Sequence, residues 1–301
     1  MNGYGGSILR VDLTSGKITR QPTPPDLARD YIGGRGFGAY LLYHEVPAHA
    51  NPLGPENKLI ISSGPLSGLM IPGAGKCDWT CKSPLTGGYA SASLGGMFTA
   101  ELKYAGIDSI ILEGISPKPA ILLVENNTAR LLDASAFWGK GSIEVEKALK
   151  DKFGEEYQVA VIGPGGENGV SFASINHDYG RQAGRGGVGT VMGSKRLKAI
   201  VVHGTQSIPV ADLAGYRKAG MALFKACKEA EGLKPWQNYG TTIVVSWCDE
   251  VGALPRLAAG RGRRLLRRAR RPGSCPRGPV CPPAPGPQPD RTPRPRGCCR
   301  R

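Results

Sequence analysis

The chain has 301 residues, 40% of them hydrophobic, enough for one large domain or two small ones with a real core. Its formal charge of +15 sits almost wholly at one end: residues 256–301 hold 14 Arg, no Lys and one acid, while the preceding 255 residues carry 25 basic and 23 acidic side chains. A near-neutral body excludes a protein steered to nucleic acid by a field over its whole surface, and no apolar run reaches the length of a membrane span.

The start, MNGYGGSILRVDL, lacks a basic segment followed by an apolar one, so it reads as no secretory signal and predicts a cytoplasmic protein. SILRVDL (7–13) and KITR (17–20) around TSG predict a strand, a turn and a strand. PDLARDYIG (25–33) and FGAYLLYHEV (37–46) predict helices, with Gly33-Gly34-Arg35-Gly36 between them as a helix end without a ligand role. KLIISSG (58–64) predicts a buried strand, MFTAELKYAG (97–106) a helix, and DSIILEG (108–114) and AILLVEN (120–126) strands. SIEVEKALKDKFG (142–154) predicts a helix, QVAVIGPGG (158–166) and KAIVVHG (198–204) strands, and residues 212–232 a last helix. Of the eight cysteines, none forms a CxxC pair, and the four in the body (Cys77, Cys81, Cys227, Cys248) are expected to be buried free thiols.

Two spans repeat. Gly95-Gly96 opens a short helix that leads to DSIILEG, and Gly186-Gly187 opens another that leads to AIVVHG; Gly95 to Gly114 and Gly186 to Gly204 agree within one residue. Each follows another glycine-rich stretch, at 64–75 and 163–169. The expected fold is α+β, a sheet-and-helix domain built by duplication. From about Pro255 the composition changes: ten of the last 46 residues are Pro, and there is no aromatic, Ile, Met, Lys or Glu. Such a stretch cannot offset chain entropy by burial and is expected to be disordered. Arg without Lys favours translation in a shifted GC-rich frame over a tail selected for charge; the latter would bind RNA or another polyanion.

Glycine loops carry the candidate chemistry. Arg181-Gln-Ala183-Gly184-Arg185-Gly186-Gly187 combines close backbone approach with two guanidinium groups, and a helix starting there would aim free N–H groups at an anion. Ser91-Ala-Ser93-Leu-Gly95-Gly96 holds the same place in the first repeat, with Ser93 a candidate donor to a phosphate. Lys76, after Gly73-Ala-Gly75, could supply a cation to the same anion, although Cys77 after it rules out a P-loop. No nucleophile constellation or metal-ligand spacing is present; among the histidines only His177 lies near a loop. Phosphate-holding parts without acid–base machinery fit an enzyme whose cofactor does the chemistry. A dinucleotide fold is disfavoured, since no GxGxxG opens a helix after a strand with an acid about 20 residues on.

These segments resemble the N-terminal domain of the aldehyde ferredoxin oxidoreductase family over residues 1 to about 255: GYGGSILRVDLTSG, YIGGRGFGAYLL, PENKLIISSGPLSG, KSPLTGGYASASLGG, AELKYAGIDSIILEG, IGPGGENGVSFASI, GRQAGRGGVGTVMGSKRLKAIVVHG and NYGTTIVVSWCDEVGALP, in that order. The resemblance implies a pterin-binding domain at 1–208 and the start of a helical second domain at 209–255, with 256–301 the disordered Arg/Pro-rich tail. It implies a tungsten (or molybdenum) bis-pterin cofactor with a bridging Mg, contacted by Lys76, Ser93, Gly95, Gly96, Arg181, Ala183, Gly184, Arg185 and Gly186, and no protein ligand to the tungsten itself. Position 93 is Ser where some members carry Asn. Oxidation of an aldehyde to a carboxylic acid with ferredoxin as electron acceptor is the implied activity, a benzoyl-CoA reductase-like subunit the alternative, and a homodimer is compatible with both. The family's 4Fe–4S cluster requires a CxxCxxxC segment that these 301 residues lack, so the chain is expected to be a truncated product, inactive alone.

Overall fold

Residues 1–253 are described in the computed structural model; the Arg/Pro-rich stretch, its expected disorder, and Cys275, Cys281, Cys298 and Cys299 lie outside the described residues. The described residues divide into two units, Met1–Ala230 and one that begins at Glu231. In the second, the described residues form two short helices, α8 (Lys234–Tyr239) and α9 (Val245–Glu250). No described helix is long and apolar enough to cross a membrane.

The first unit is built twice over. Its first half runs β1 (Ser7–Asp12), β2 (Ile18–Pro22), α1 (Pro25–Tyr31), α2 (Arg35–Glu45), β3 (Leu59–Ser63), β4 (Lys76–Lys82), β5 (Tyr89–Gly95), α3 (Phe98–Tyr104) and β6 (Ile107–Glu113). The second half runs β7 (Ala120–Glu125), β8 (Thr128–Asp133), α4 (Ser142–Phe153), β9 (Gln158–Val161), α5 (Pro164–Glu167), β10 (Ile175–His177), β11 (Arg181–Ala183), α6 (Val188–Ser194) and β12 (Leu197–His203); α7 (Leu213–Glu229) follows. The sheets have the orders β2-β1-β6-β3-β4-β5 and β11-β10-β9-β12-β7-β8, which are the same order read in opposite directions. In each, the first strand pairs in parallel with the last and every other pairing is antiparallel. The duplication expected from the glycine repeats is thus a duplication of topology.

The core explains the unbroken apolar runs in the sequence. α3 and α6 contribute Phe98, Leu102, Val188, Val191 and Met192 to one core with Leu59, Ile61 and Trp79 of the first sheet and Leu122, Ile200 and Val202 of the second. The outer face of the first sheet is covered by α1 and α2 through Leu27, Phe37 and Leu41 on Ile60 and Ile111; that of the second by α4 through Val145 and Leu149. β3, β6 and β12 are therefore buried on both faces, so they lack the alternation of a half-exposed strand. Of the body cysteines, Cys77 and Cys81 are buried as expected, whereas Cys227 and Cys248 are only half-buried.

Both parallel pairings slip by one residue at the same place, after Ser7↔Ile107 and after Leu197↔Ala120. The slipped residues are Asp108 and Lys198, both fully buried. Asp108 accepts from the N–H groups of Gly5 (2.7 Å) and Gly6 (2.8 Å), from Thr23 Oγ1 (2.7 Å) and from Lys103 Nζ (2.6 Å). Lys198 pairs with Glu167 and donates to the Lys140 carbonyl at 2.8 Å. A buried charge is tolerated only when fully bonded, so Asp108→Ala, which strands Lys103, is expected to cost about 3–5 kcal/mol. Urea denaturation of the two proteins measures it, and an unchanged midpoint would show that Asp108 does not hold the chain start to β6.

Candidate functional site

β5 is the edge of the first sheet and β11 the edge of the second, and the two edges lie side by side in the first unit. On β5 the register places Ser93 opposite Asp78 and Gly95 opposite Lys76, so Lys76, Ser93 and Gly95 share one end of the β4–β5 pair. Glycine permits the approach of the two edges. A Cβ at Gly96, where φ is +107°, would meet the His177 ring at 2.7 Å and Arg181 Cδ at 2.8 Å. A Cβ at Gly186, where φ is +69°, would meet Ala90 Cβ of β5 at 2.5 Å. The turn around residues 93–96 and the turn around 181–187 therefore converge, with the Arg181 side chain lying over Gly95 and Gly96.

His177 is the joint between the halves. It is fully buried. Its Nδ1 lies 2.9 Å from the Val159 carbonyl and its Nε2 accepts from the Phe98 N–H at 3.3 Å, which fixes a neutral ring protonated on Nδ1. Burial pushes its pKa below the ordinary value. A second device aims Arg181. Asp178 and Tyr179 have positive φ (51° and 55°), an unfavourable conformation for both, and the buried Glu146 of α4 accepts from their N–H groups at 2.8 and 3.1 Å. Burial raises the Glu146 pKa. Arg181 Nε then donates to Asp178 Oδ2 at 3.1 Å, leaving the guanidinium exposed beside the turn.

One expectation is corrected and another holds in part. The glycine pairs are not equivalent residue for residue: sheet register aligns Asp78–Ser93 with Asn176–Gln182, hence Gly95 with Gly184, and the second turn holds one extra residue before its helix. The helix ends are only partly spent. Phe98 N–H is taken by His177, Gly189 N–H by the Ala173 carbonyl (3.0 Å) and Thr190 N–H by the Gly187 carbonyl (3.0 Å), while among the described residues no protein acceptor takes the N–H of Thr99, Ala100 or Val188. Further unspent donors lie in the turns ahead of the helices: among the described residues, no protein acceptor takes the N–H of Gly96, Met97, Gly184, Arg185 or Gly186.

Of the residues singled out in the sequence, Lys76, Ser93, Gly95, Gly96, Arg181 and Gly186 are brought together. Gly184 and Arg185 lie in the same turn as Gly186, exposed; Ala183 is fully buried, so it can present only its backbone. Sequence reasoning missed Arg35 and Asp78. They line a cavity of about 320 Å³ with Gly33, Gly34, Lys76 and Ser93. Arg35 is the first residue of α2, and the turn it follows is tied to the first sheet by Gly34 N–H to the Ser63 carbonyl at 2.8 Å. Among the described residues, no group of three or more His, Cys, Asp or Glu could hold a metal.

A sequence profile described as the aldehyde ferredoxin oxidoreductase N-terminal domain matches residues 8–204. A tungsten-containing aldehyde ferredoxin oxidoreductase of Pyrococcus abyssi is 45% identical over 259 residues, 85% of this chain and 42% of that protein. The WOR-like subunit of an aliphatic sulfonate oxidoreductase of Pyrococcus furiosus is 36% identical over 257 residues, 80% of this chain and 40% of that protein. In solved structures, the active-site complex BamBC of benzoyl coenzyme A reductase with 1,5-dienoyl-CoA matches with a TM-score of 0.75 at 39% identity, covering 77% of this chain and 35% of the other. The chain thus spans about two fifths of the length of the curated relatives it matches.

The His177 geometry sets a pH dependence. Because the folded pKa lies below the unfolded value of 6.5, the unfolded chain takes up the proton first. The stability contribution is complete above pH 6.5 and declines as pH falls below it. Thermal melts from pH 7.5 to 5 are expected to show this decline, and His177→Gln, which keeps a donor and an acceptor but cannot titrate, is expected to lose it. Identical slopes in the two proteins would mean that His177 is not held neutral between the halves.

Proposed function

Since the chain belongs to the aldehyde ferredoxin oxidoreductase family, we propose that its two converging turns form the base for a tungsten (or molybdenum) bis-pterin cofactor. Lys76, Ser93, Gly95 and Gly96 from one half, and Arg181, Ala183, Gly184, Arg185 and Gly186 from the other, hold its phosphates and the bridging Mg. The observation that carries this reading is the meeting of one glycine turn from each half, each with backbone N–H groups that no protein acceptor among the described residues takes.

The residues present suit such a group. Gly96 and Gly186 remove the side chains that would keep the two turns apart. Turn amides pointing at one place make an anion-binding concavity, and Lys76, Arg181 and Arg185 are exposed cations around it. When bound, the cofactor supplies the metal centre at which an aldehyde is oxidised to a carboxylic acid with water, two electrons passing to ferredoxin. The chain's own residues bind and orient. Arg181, aimed by Asp178, neutralises phosphate; the turn amides fix its direction; His177 keeps the turns in register. Two duplicated halves, each giving one turn, match two phosphorylated pterins. The chain spans about two fifths of the length of its relatives, and the role proposed for it is the pterin base.

The structural likeness to benzoyl coenzyme A reductase favours a second reading, in which the same base serves ring reduction in place of aldehyde oxidation. The two share the pterin base and differ in the substrate pocket.

Arg181→Gln is expected to lower the tungsten and pterin phosphate that co-purify with the chain from a tungsten-supplied host by about tenfold, the loss of one charge-assisted hydrogen bond to phosphate. Metal analysis and phosphate release on acid hydrolysis measure it. Unchanged content in the variant would remove Arg181 from the base, and the same result for Gly96→Val would remove the base itself.

A further inference from the structure

The two hairpins end differently against the helices that cover their sheets. Ser62 pairs with Asp78 and with Ser109; Val161 pairs with Asn176 and with Ala199, so Thr80 of the first hairpin is the counterpart of Asp178 in the second. The buried residues of the helices align in the same way: Phe37, Gly38, Leu41 and Leu42 of α2 with Val145, Glu146, Leu149 and Lys150 of α4. Gly38 thus stands where the second copy has Glu146. In that copy the hairpin turns at once, and Glu146 takes the N–H groups of Asp178 and Tyr179. In the first copy a Cβ at position 38 would overlap Thr80 Oγ1. Glycine lets the strand lie on the helix, and the hairpin runs on to Lys82 and returns from Tyr89. Between this overhang and α2 lies a groove of about 650 Å³. The groove is an addition of the first copy, since the second has no overhang to wall one.

Its walls are aromatic and its polar atoms unspent. Tyr31, Tyr40, Tyr43 and Tyr89 line it, with His44 and Lys82. The Tyr40 ring centre lies 4.6 Å from that of Tyr31 and 4.1 Å from that of His44, and Tyr43 meets His44 edge-on at 5.2 Å. Among the described residues, none of the four phenol hydroxyls has a protein hydrogen-bond partner. Lys82 Nζ donates to the Ala48 carbonyl, which leaves hydrogens for a second acceptor. No carboxylate lines the groove; Glu45, next to His44, is bonded instead to Arg10 and Lys58. Tyrosine rings alone would suit a quaternary ammonium. The ammonium of Lys82 among them repels a cation and attracts an anion. A flat ring that carries an anionic acceptor satisfies the ring faces, the phenol donors and Lys82 together.

We propose that this groove binds an aromatic carboxylate, its ring against Tyr43 and Tyr89 and its carboxylate on Lys82 and the phenol hydroxyls. The site is separate from the pterin base and does not rest on it, since no residue assigned to the base lines the groove.

The test is a calorimetric titration of the 301-residue chain with benzoate at pH 7 and low salt, with cyclohexanecarboxylate and benzyltrimethylammonium as comparisons. Saturable benzoate binding is expected, about tenfold tighter than that of cyclohexanecarboxylate, which keeps the charge and lacks the ring, and no binding of the ammonium. Tyr43 is 84% exposed, so Tyr43→Ala is expected to keep the wild-type melting temperature while weakening benzoate about tenfold, the loss of one ring contact. Lys82→Gln is expected to weaken it by about the same factor and to remove its salt dependence; if that variant melts early, Tyr43→Ala decides. No saturable binding, equal affinity for cyclohexanecarboxylate, tighter binding of the ammonium, or equal benzoate affinity in Tyr43→Ala each overturns the site. If Arg181→Gln loses benzoate while Tyr43→Ala keeps it, the carboxylate sits on the glycine turns and the groove fails. The pterin base, read from tungsten content, stands or falls apart from all of these results.

Discussion

Two sheet edges can approach only if nothing projects between them, and here the approach is fixed by a buried imidazole. A side chain at position 96 would overlap His177, and one at 186 would overlap Ala90. With both positions glycine, His177 reaches from the second sheet to the first residue of α3, accepting its N–H while facing Val159 in its own half. Phe98, next to the turn, packs edge-on to the same ring and tilted on Trp79, so the joint is also part of the core. Gaining a proton would turn an acceptor into a donor facing a donor. The position of both glycine turns thus depends on a ring that burial keeps neutral.

Duplication supplies two of everything, and the copies have specialised. At the slipped position of the parallel pair one carries Asp108 and the other Lys198, each with its own buried partner. At the mouth of the cavity one copy has charged residues and the other a closed set of neutral hydrogen bonds. The second copy invests its polar residues in rigidity: Glu146 and Glu167 brace turns through backbone N–H groups. Its exposed cations are on the turn itself, at Arg181 and Arg185. The first copy places its cations around a cavity instead.

The fold was legible in the sequence where burial on both faces or strong periodicity wrote it, as in β3, β6, β12 and α4. β4 was missed although Cys77, Trp79 and Cys81 alternate with Asp78 and Thr80, because the charged flanks and the Asp mask a strand whose face toward α2 is polar. β5, YASASLG, was missed because its side chains are too small to mark a hydrophobic face, and β10 and β11 have three residues each. The glycine turns were found because glycine clusters are visible one-dimensionally. Arg35 was not, because its Nε donates to Ser91 Oγ, itself bonded to Asp78, a contact that only the β4–β5 register and the fold of α2 create. The polar pairing Asp78–Ser91–Arg35 has no sequence spacing to read.

Diffraction at the tungsten edge from crystals of the cofactor-loaded protein tests the central claim most directly. The account predicts a tungsten anomalous peak above the face shared by Gly95-Gly96 and Gly184–Gly186, with phosphate density against the turn amides. A peak elsewhere, such as the tyrosine-lined groove between Tyr31 and Tyr89, would contradict it.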